Sequence, residues 1–188
     1  MKRFNLAIVV MAVLFTAALS ARAEEKKMEM PKPGPEVKKL AYFVGTWTSE
    51  GDMKENPFGM PAGKFTGSDK CEWFTGGYQL VCHGNGKGPM GAMHSLFILS
   101  YNPNEKMYAY YGIDSMGMAE QSMGKADGNK WVYTSDEKMG GKTVHGRYSM
   151  DTSSPDSYTF KYETSEDGQK WSTMMEGKAT KAAAAKKM

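Results

Sequence analysis

Polar and apolar positions alternate with a period of two along much of this chain. In 46–53 the even positions Thr46, Thr48, Glu50 and Asp52 are polar, while Trp47 and Met53 lie on the other side. In 64–73 Lys64, Thr66, Ser68, Lys70 and Glu72 are polar, alternating with Phe65, Gly67, Asp69, Cys71 and Trp73. Such alternation marks half-buried strands with one wet face. Gly76-Gly77, Asp127-Gly128, Gly140-Gly141 and Asp167-Gly168 each read as a two-residue hairpin turn, because tight primed turns need positive φ.

A two-residue turn fixes which residues face each other, and polarity tests the pairing. About Gly140-Gly141, Tyr133 faces Tyr148 and Trp131 faces Met150, while Thr134 faces Arg147 and Asp136 faces His145. About Asp167-Gly168, Tyr162 faces Thr173 and Phe160 faces Met175, while Glu163 faces Ser172. Aromatic and apolar groups sort to one side, polar groups to the other. About ten strand-like segments without parallel crossovers predict an all-β fold, an up-and-down antiparallel barrel, with a two-layer sandwich as its rival. The stretch 91–114 is apolar on both faces, and its inward side stays open.

The ends read differently. Met1 to Asn5 carries Lys2 and Arg3, an apolar run spans Leu6 to Ser20, and Ala21-Arg22-Ala23 follows. A basic start, a short apolar stretch and a small-x-small site predict a signal peptide over 1–23, and hence an exported protein of periplasm or medium. The 15-residue run is too short for a spanning helix, which needs about 20 residues. Residues 24–35, charged and Pro-rich, read as a disordered leader. Pro35-Glu36 suits a helix start, and Val37, Leu40, Ala41 and Val44 recur at helical spacing, so one short helix should precede the barrel. The barrel domain is expected over 36–179 and a basic disordered tail over 180–188.

Composition narrows the function classes. Of 188 residues 24 are basic and 21 acidic, but Lys2, Arg3 and Arg22 fall in the leading segment, leaving a balance of zero. That disfavours a nucleic-acid binder held by phosphate contacts. Cys71 and Cys82 stand opposite each other in the register set by Gly76-Gly77, within disulfide range. In an exported protein such a pair should oxidise, giving a structural bridge.

At its start the chain reads Leu40-Ala41-Tyr42-Phe43-Val44-Gly45-Thr46-Trp47, similar to the lipocalin-type opening, a short helix followed by Gly-x-Trp on the first barrel strand. More specifically, Gly45-Thr46-Trp47, Gly76-Gly77-Tyr78, Tyr101-Asn102-Pro103 through Tyr108, and Ile113-Asp114-Ser115 resemble the bacterial secreted proteins grouped as domain-of-unknown-function family 1579. The resemblance runs over most of Leu40 to Lys181. It implies a lipocalin-like barrel and no settled activity. In lipocalins an Arg near the last strand covers the Trp of Gly-x-Trp; here the final strand, read as ending Glu176-Gly177-Lys178-Ala179, has no Arg.

The alternation puts all four tryptophans inward. Trp47, Trp73, Trp131 and Trp171, with Tyr133, Tyr148 and Tyr162 and the lone inward acid Asp69, are the candidate lining of an interior site. The expected ligand is one small apolar or aromatic molecule, which a barrel of this size can enclose. Tyr158 shares that face. Asp69 could anchor a cation or hydroxyl, or satisfy a tyrosine. Arg147, on the polar face, is expected to reach Asp136.

Methionine is the compositional oddity, with 15 of 17 lying beyond residue 23. Met90, Met93, Met116, Met118 and Met123, with His83, His94 and His145, define a copper-binding alternative, since thioethers hold Cu(I). Their spacing follows no ligand rule, and Met also fills irregular interiors. A barrel filled by its own rings and acting through its surface is a third reading. No G-x-S-x-G, H-E-x-x-H or phosphate-binding glycine loop occurs, so no catalytic residue, resident metal or cofactor is assigned.

Overall fold

The computed structural model describes residues 32–55, 59–139 and 141–183. The expected signal peptide and most of the leader lie outside these residues. Pro35–Lys39 form helix α1, and Leu40–Phe43 continue it as a 3-10 turn. Ten strands follow: β1 (Gly45–Met53), β2 (Gly63–Trp73), β3 (Leu80–Gly88), β4 (Gly91–Asn102), β5 (Met107–Asp114), β6 (Ala119–Asp127), β7 (Lys130–Met139), β8 (Lys142–Ser154), β9 (Ser157–Ser165) and β10 (Ser172–Lys181). Each strand pairs antiparallel with its chain neighbours, and β10 pairs with β1, so the sheet closes into a barrel. Closure satisfies every strand edge, which a sandwich would leave open.

The β1–β10 seam requires a close approach of two backbones. Gly51 and Gly177 face each other there. A Cβ on Gly51 would sit 2.2 Å from the Glu176 carbonyl oxygen and 2.8 Å from the Gly177 Cα. Only glycine fits that contact.

Two sequence-derived registers hold. Tyr133 faces Tyr148, Trp131 faces Met150, Thr134 faces Arg147 and Asp136 faces His145. Cys71 faces Cys82 with Cα atoms 4.1 Å apart, and the two are disulfide-bonded. Two turns differ from expectation. Asp127 pairs with Lys130, so the β6–β7 turn is built on Gly128 and Asn129, not on Asp127-Gly128. The β9–β10 connection is not a two-residue turn at all, since it spans 166–171. The Asp167 carboxylate draws it out by accepting hydrogen bonds from the amides of Gln169 and Lys170, both at 2.8 Å. With a bulge between Thr173 and Met175, Tyr162 then faces Met175 and Phe160 faces Gly177, displacing the expected partners.

The segment left open, 91–114, turns Met93, Phe97, Leu99, Tyr101, Tyr108 and Tyr110 inward, as its pairing with β3 dictates. Leu96, Ile98, Tyr111 and Ile113 therefore face out, with Tyr111 and Ile113 exposed.

The helix plugs one end of the barrel. Leu40 and Phe43 are buried, and Phe43 meets Trp131 edge-on at 5.2 Å. Tyr108 packs on Trp131 at 4.6 Å, and its hydroxyl reaches the Glu36 carbonyl (3.1 Å) and Glu36 Oε2 (2.9 Å). Tyr42 reaches across to the carbonyls of Ser154 (2.9 Å) and Ser157 (3.0 Å). Each such bond contributes about 1 kcal/mol net, and each ring pair about 0.5–1.5 kcal/mol beyond its buried area. Trp47 donates from Nε1 to the Phe43 carbonyl at 2.9 Å. The lipocalin Arg has a replacement: β10 runs through Thr180 to Lys181, two residues past the expected end. Lys181 Nζ lies 5.2 Å over the Trp47 ring and donates to the Tyr42 carbonyl at 3.3 Å.

Candidate functional site

With one end plugged, the free volume lies toward the other. A cavity of about 250 Å³ is enclosed by β1–β4 and β8–β10, its mouth opening beside the β3–β4 and β5–β6 turns. Its aromatic wall is Phe65, Tyr148, Tyr158 and Phe160, with Tyr148 stacked near Phe160 at 5.9 Å. Met53, Met90, Met93, Met116 and Met175 give it a thioether rim, and Ser49, Ser95 and Asp69 supply polar groups. A larger depression of about 570 Å³ lies on the outer wall, rimmed by Asp52, Lys130, Asp151, Lys161 and Glu176. Those charged groups are solvated, so the interior cavity is the better site for an organic ligand.

Asp69 dominates the cavity's electrostatics. Burial pushes its carboxyl up to about 6, and no described residue gives it a hydrogen bond or an ion pair. The hydroxyls of Tyr148 and Tyr158 likewise have no partner among the described residues. Burial, followed by neighbouring charges that include Asp69, holds both phenols well above the ordinary tyrosine range. Three half-buried polar groups without partners in one cavity mark a place where an occupant's polar atoms would be accommodated. Among the described residues the fully buried side-chain polar atom without a partner is the Tyr133 hydroxyl, in the plugged half.

A second polar group stands on the opposite wall. Glu137 Oε1 accepts from Ser135 Oγ at 2.9 Å and from the Tyr162 hydroxyl at 3.2 Å. Glu120 nearby is pushed up to about 7 by partial burial and then by the Glu137 charge.

The eight candidate lining residues separate accordingly. Asp69 and Tyr148 line the cavity. Trp47, Trp131 and Tyr133 face inward but are buried in the plugged half, where they fill the barrel. Tyr162 is inward and engaged by Glu137. Trp73 ends β2 and is 38% exposed at the rim. Trp171 is not interior: it belongs to the β9–β10 connection, where the Arg147 guanidinium lies 4.0 Å over its ring. Its inward placement rested on the two-residue turn that the Asp167-capped loop replaces.

Arg147 also departs from expectation. It bonds Glu163 Oε2 from Nε (3.0 Å) and an Nη (2.9 Å), while Asp136 pairs with His145 at 2.7 Å. Across the β8–β9 ladder Glu163 stands directly opposite Arg147, nearer than the diagonal Asp136.

Sequence reasoning had Met53, Phe65 and Phe160 on the inward face but gave them no role, while Tyr158 stood there with the other inward rings. Tyr158 and Phe160 alternate with Tyr162 on β9, so that signal was present. The meeting of Met53, Met90, Met93, Met116 and Met175 had none, since they come from three strands and two turns spread along the chain. Met123 faces out from β6, and Met118 is exposed. The histidines stand on the outer wall, with His94 Nδ1 2.8 Å from Asn85 Oδ1. Among the described residues no three His, Cys, Asp or Glu side chains group as metal ligands.

A family described as Protein of unknown function (DUF1579) matches residues 32–181. No curated protein matches the chain. Among solved structures, the crystal structure of Rv2717c from M. tuberculosis is similar at 11% identity and TM-score 0.57, over 81% of this chain and 100% of that one. The S-type phycobiliprotein lyase CPES from Guillardia theta is similar at 9% identity and TM-score 0.52, over 78% of this chain and 92% of that one. Identities this low establish a shared barrel fold and nothing about chemistry. Among the described residues no helix is long and apolar enough to cross a membrane.

Proposed function

The chain belongs to the DUF1579 family, and we propose that it is an exported barrel that binds one small, mostly apolar or aromatic molecule in its interior. The observation that carries this reading is the half-filled barrel: α1 and its rings plug one end, while the other keeps an apolar cavity of about 250 Å³. A barrel that served only as a surface would gain stability by filling that space, at about 24 cal/mol per Å³ of void. The lining of four rings and five thioethers gives dispersion contact to a flat ligand, and methionine adapts its shape to the occupant. One similar barrel is named a phycobiliprotein lyase. Export is supported by the leading segment's pattern and by the Cys71–Cys82 bridge, which suits an oxidising compartment.

Gly86 provides the test. It lines the cavity, and a Cβ there would meet only the Thr66 carbonyl oxygen, at 3.5 Å. Gly86→Phe therefore places a ring in the ligand's space. Titration with the neutral fluorophore N-phenylnaphthylamine should give saturable one-site enhancement in the wild type and at least tenfold weaker binding in Gly86→Phe. Native mass spectrometry of protein from its own host should show a co-purified organic mass. Unsaturable fluorescence, or equal binding by the variant, would overturn the interior-site reading.

A further inference from the structure

We propose that the cavity's occupant is an organic cation, a small molecule with an apolar body and one protonated amine seated on the Asp69 carboxylate. This rests on the reading of the cavity as a binding site and adds the ligand's charge. Three observations carry it.

The first is the unpartnered acid. Asp69 projects from β2 into the cavity wall, and no described residue gives it a hydrogen bond or counter-ion. An isolated buried carboxylate is costly unless something pairs with it. Its situation contrasts with that of Glu163, the other acid held close to the barrel wall, which takes Arg147 on one oxygen and Lys161 on the other, at 2.9 and 2.7 Å.

The second is the pair of hydroxyls beside it. Tyr148 and Tyr158, both half-buried, line the same cavity, and neither hydroxyl has a hydrogen-bond partner among the described residues. An ammonium offers three donors. One carboxylate and two phenol oxygens accept that number, and the faces of Phe65, Tyr148, Tyr158 and Phe160 add cation–π attraction.

The third is the charge of the whole interior. Acids at inward positions are Asp69, Asp114, Glu120 and Glu137. Bases at inward positions are Lys181, held at the plugged end by the Tyr42 carbonyl and the Trp47 ring, and Lys142, at the tip of the β7–β8 turn, which pairs with Glu166 at 2.9 Å. Neither lies on the cavity; Lys87 does line it, but from an outward position of β3 opposite Thr66, and it makes no ion pair with Asp69. A fatty acid or other anion entering there would meet like charge, whereas a cation is drawn in.

The test is a three-probe ranking on the disulfide-bonded full chain by calorimetry near neutral pH. Naphthylmethylamine, naphthylmethanol and naphthoate share one ring system and differ in charge. The amine should bind at least tenfold tighter than the alcohol, and naphthoate weakest. Asp69→Asn should bring the amine to within about twofold of the alcohol, both measured on that variant; Asp69→Ser serves if that variant does not fold. Equal binding of amine and alcohol, or preference for naphthoate, overturns the cation and leaves the cavity reading intact. An amine preference that survives both variants overturns the assignment to Asp69. Failure of all three probes to saturate overturns both proposals together.

Discussion

Replacing Asp69 by asparagine should stabilise the ligand-free protein, and by an amount that depends on pH. The side chain keeps its shape and loses only its charge. In the folded chain burial raises the carboxyl from 3.8 to about 6, so the folded state holds a proton that the unfolded state has released. Stability therefore falls as pH rises between about 4 and 6, then levels. The full difference corresponds to about 3 kcal/mol, and water reaching the cavity reduces it to about 1–3 kcal/mol. The groups that feel the Asp69 charge are Tyr110, Tyr148 and Tyr158, all neutral in this range. Glu120 titrates near 7 in both proteins and cancels from the difference. At 2–4 °C per kcal/mol for a domain of this size, Asp69→Asn should melt about 3–10 °C above the wild type at pH 7.5 and level with it at pH 4. Scanning calorimetry at four pH values on ligand-stripped protein reads this directly. A difference independent of pH, or a variant less stable at pH 7.5, would show that Asp69 is already paired in the fold.

The seam, the plug and the bridge give three further predictions. Gly51→Ala should cost several kcal/mol in urea unfolding, because its Cβ meets backbone atoms that cannot move without parting β1 from β10; Gly86→Ala, with open space, should stay within about 1 kcal/mol. Tyr108→Phe should remove about 1 kcal/mol at the Glu36 contact, seen as hydrogen exchange several-fold faster in 35–43 with the strand amides little changed. Replacing Cys71 and Cys82 together by alanine should lower stability by about 2–3 kcal/mol, since the bridge spans a sequence separation of 11; an unchanged urea midpoint would contradict that.

The Gly140-Gly141 and Gly76-Gly77 hairpins were legible because a short turn and a two-residue period are local and rigid. The Asp167 connection was not, since a carboxylate capping two amides lengthens a loop without altering its glycine signal. That one change carried Trp171 to the outer wall, under Arg147.

The sequence by itself determined the strands, two of the four hairpin registers, the cysteine pairing and which face of most strands turns inward, because alternation and turn chemistry act between near neighbours. Only the tertiary structure decided how far along the barrel axis each inward residue lies. That height depends on strand stagger, on closure of β1 against β10 and on the helix entering one end, all set by contacts between residues remote in the chain. Trp47 and Asp69 are directly paired on β1 and β2, yet one ring belongs to the plug and one carboxylate to the cavity, because side chains leaning from adjacent strands fill space at different depths.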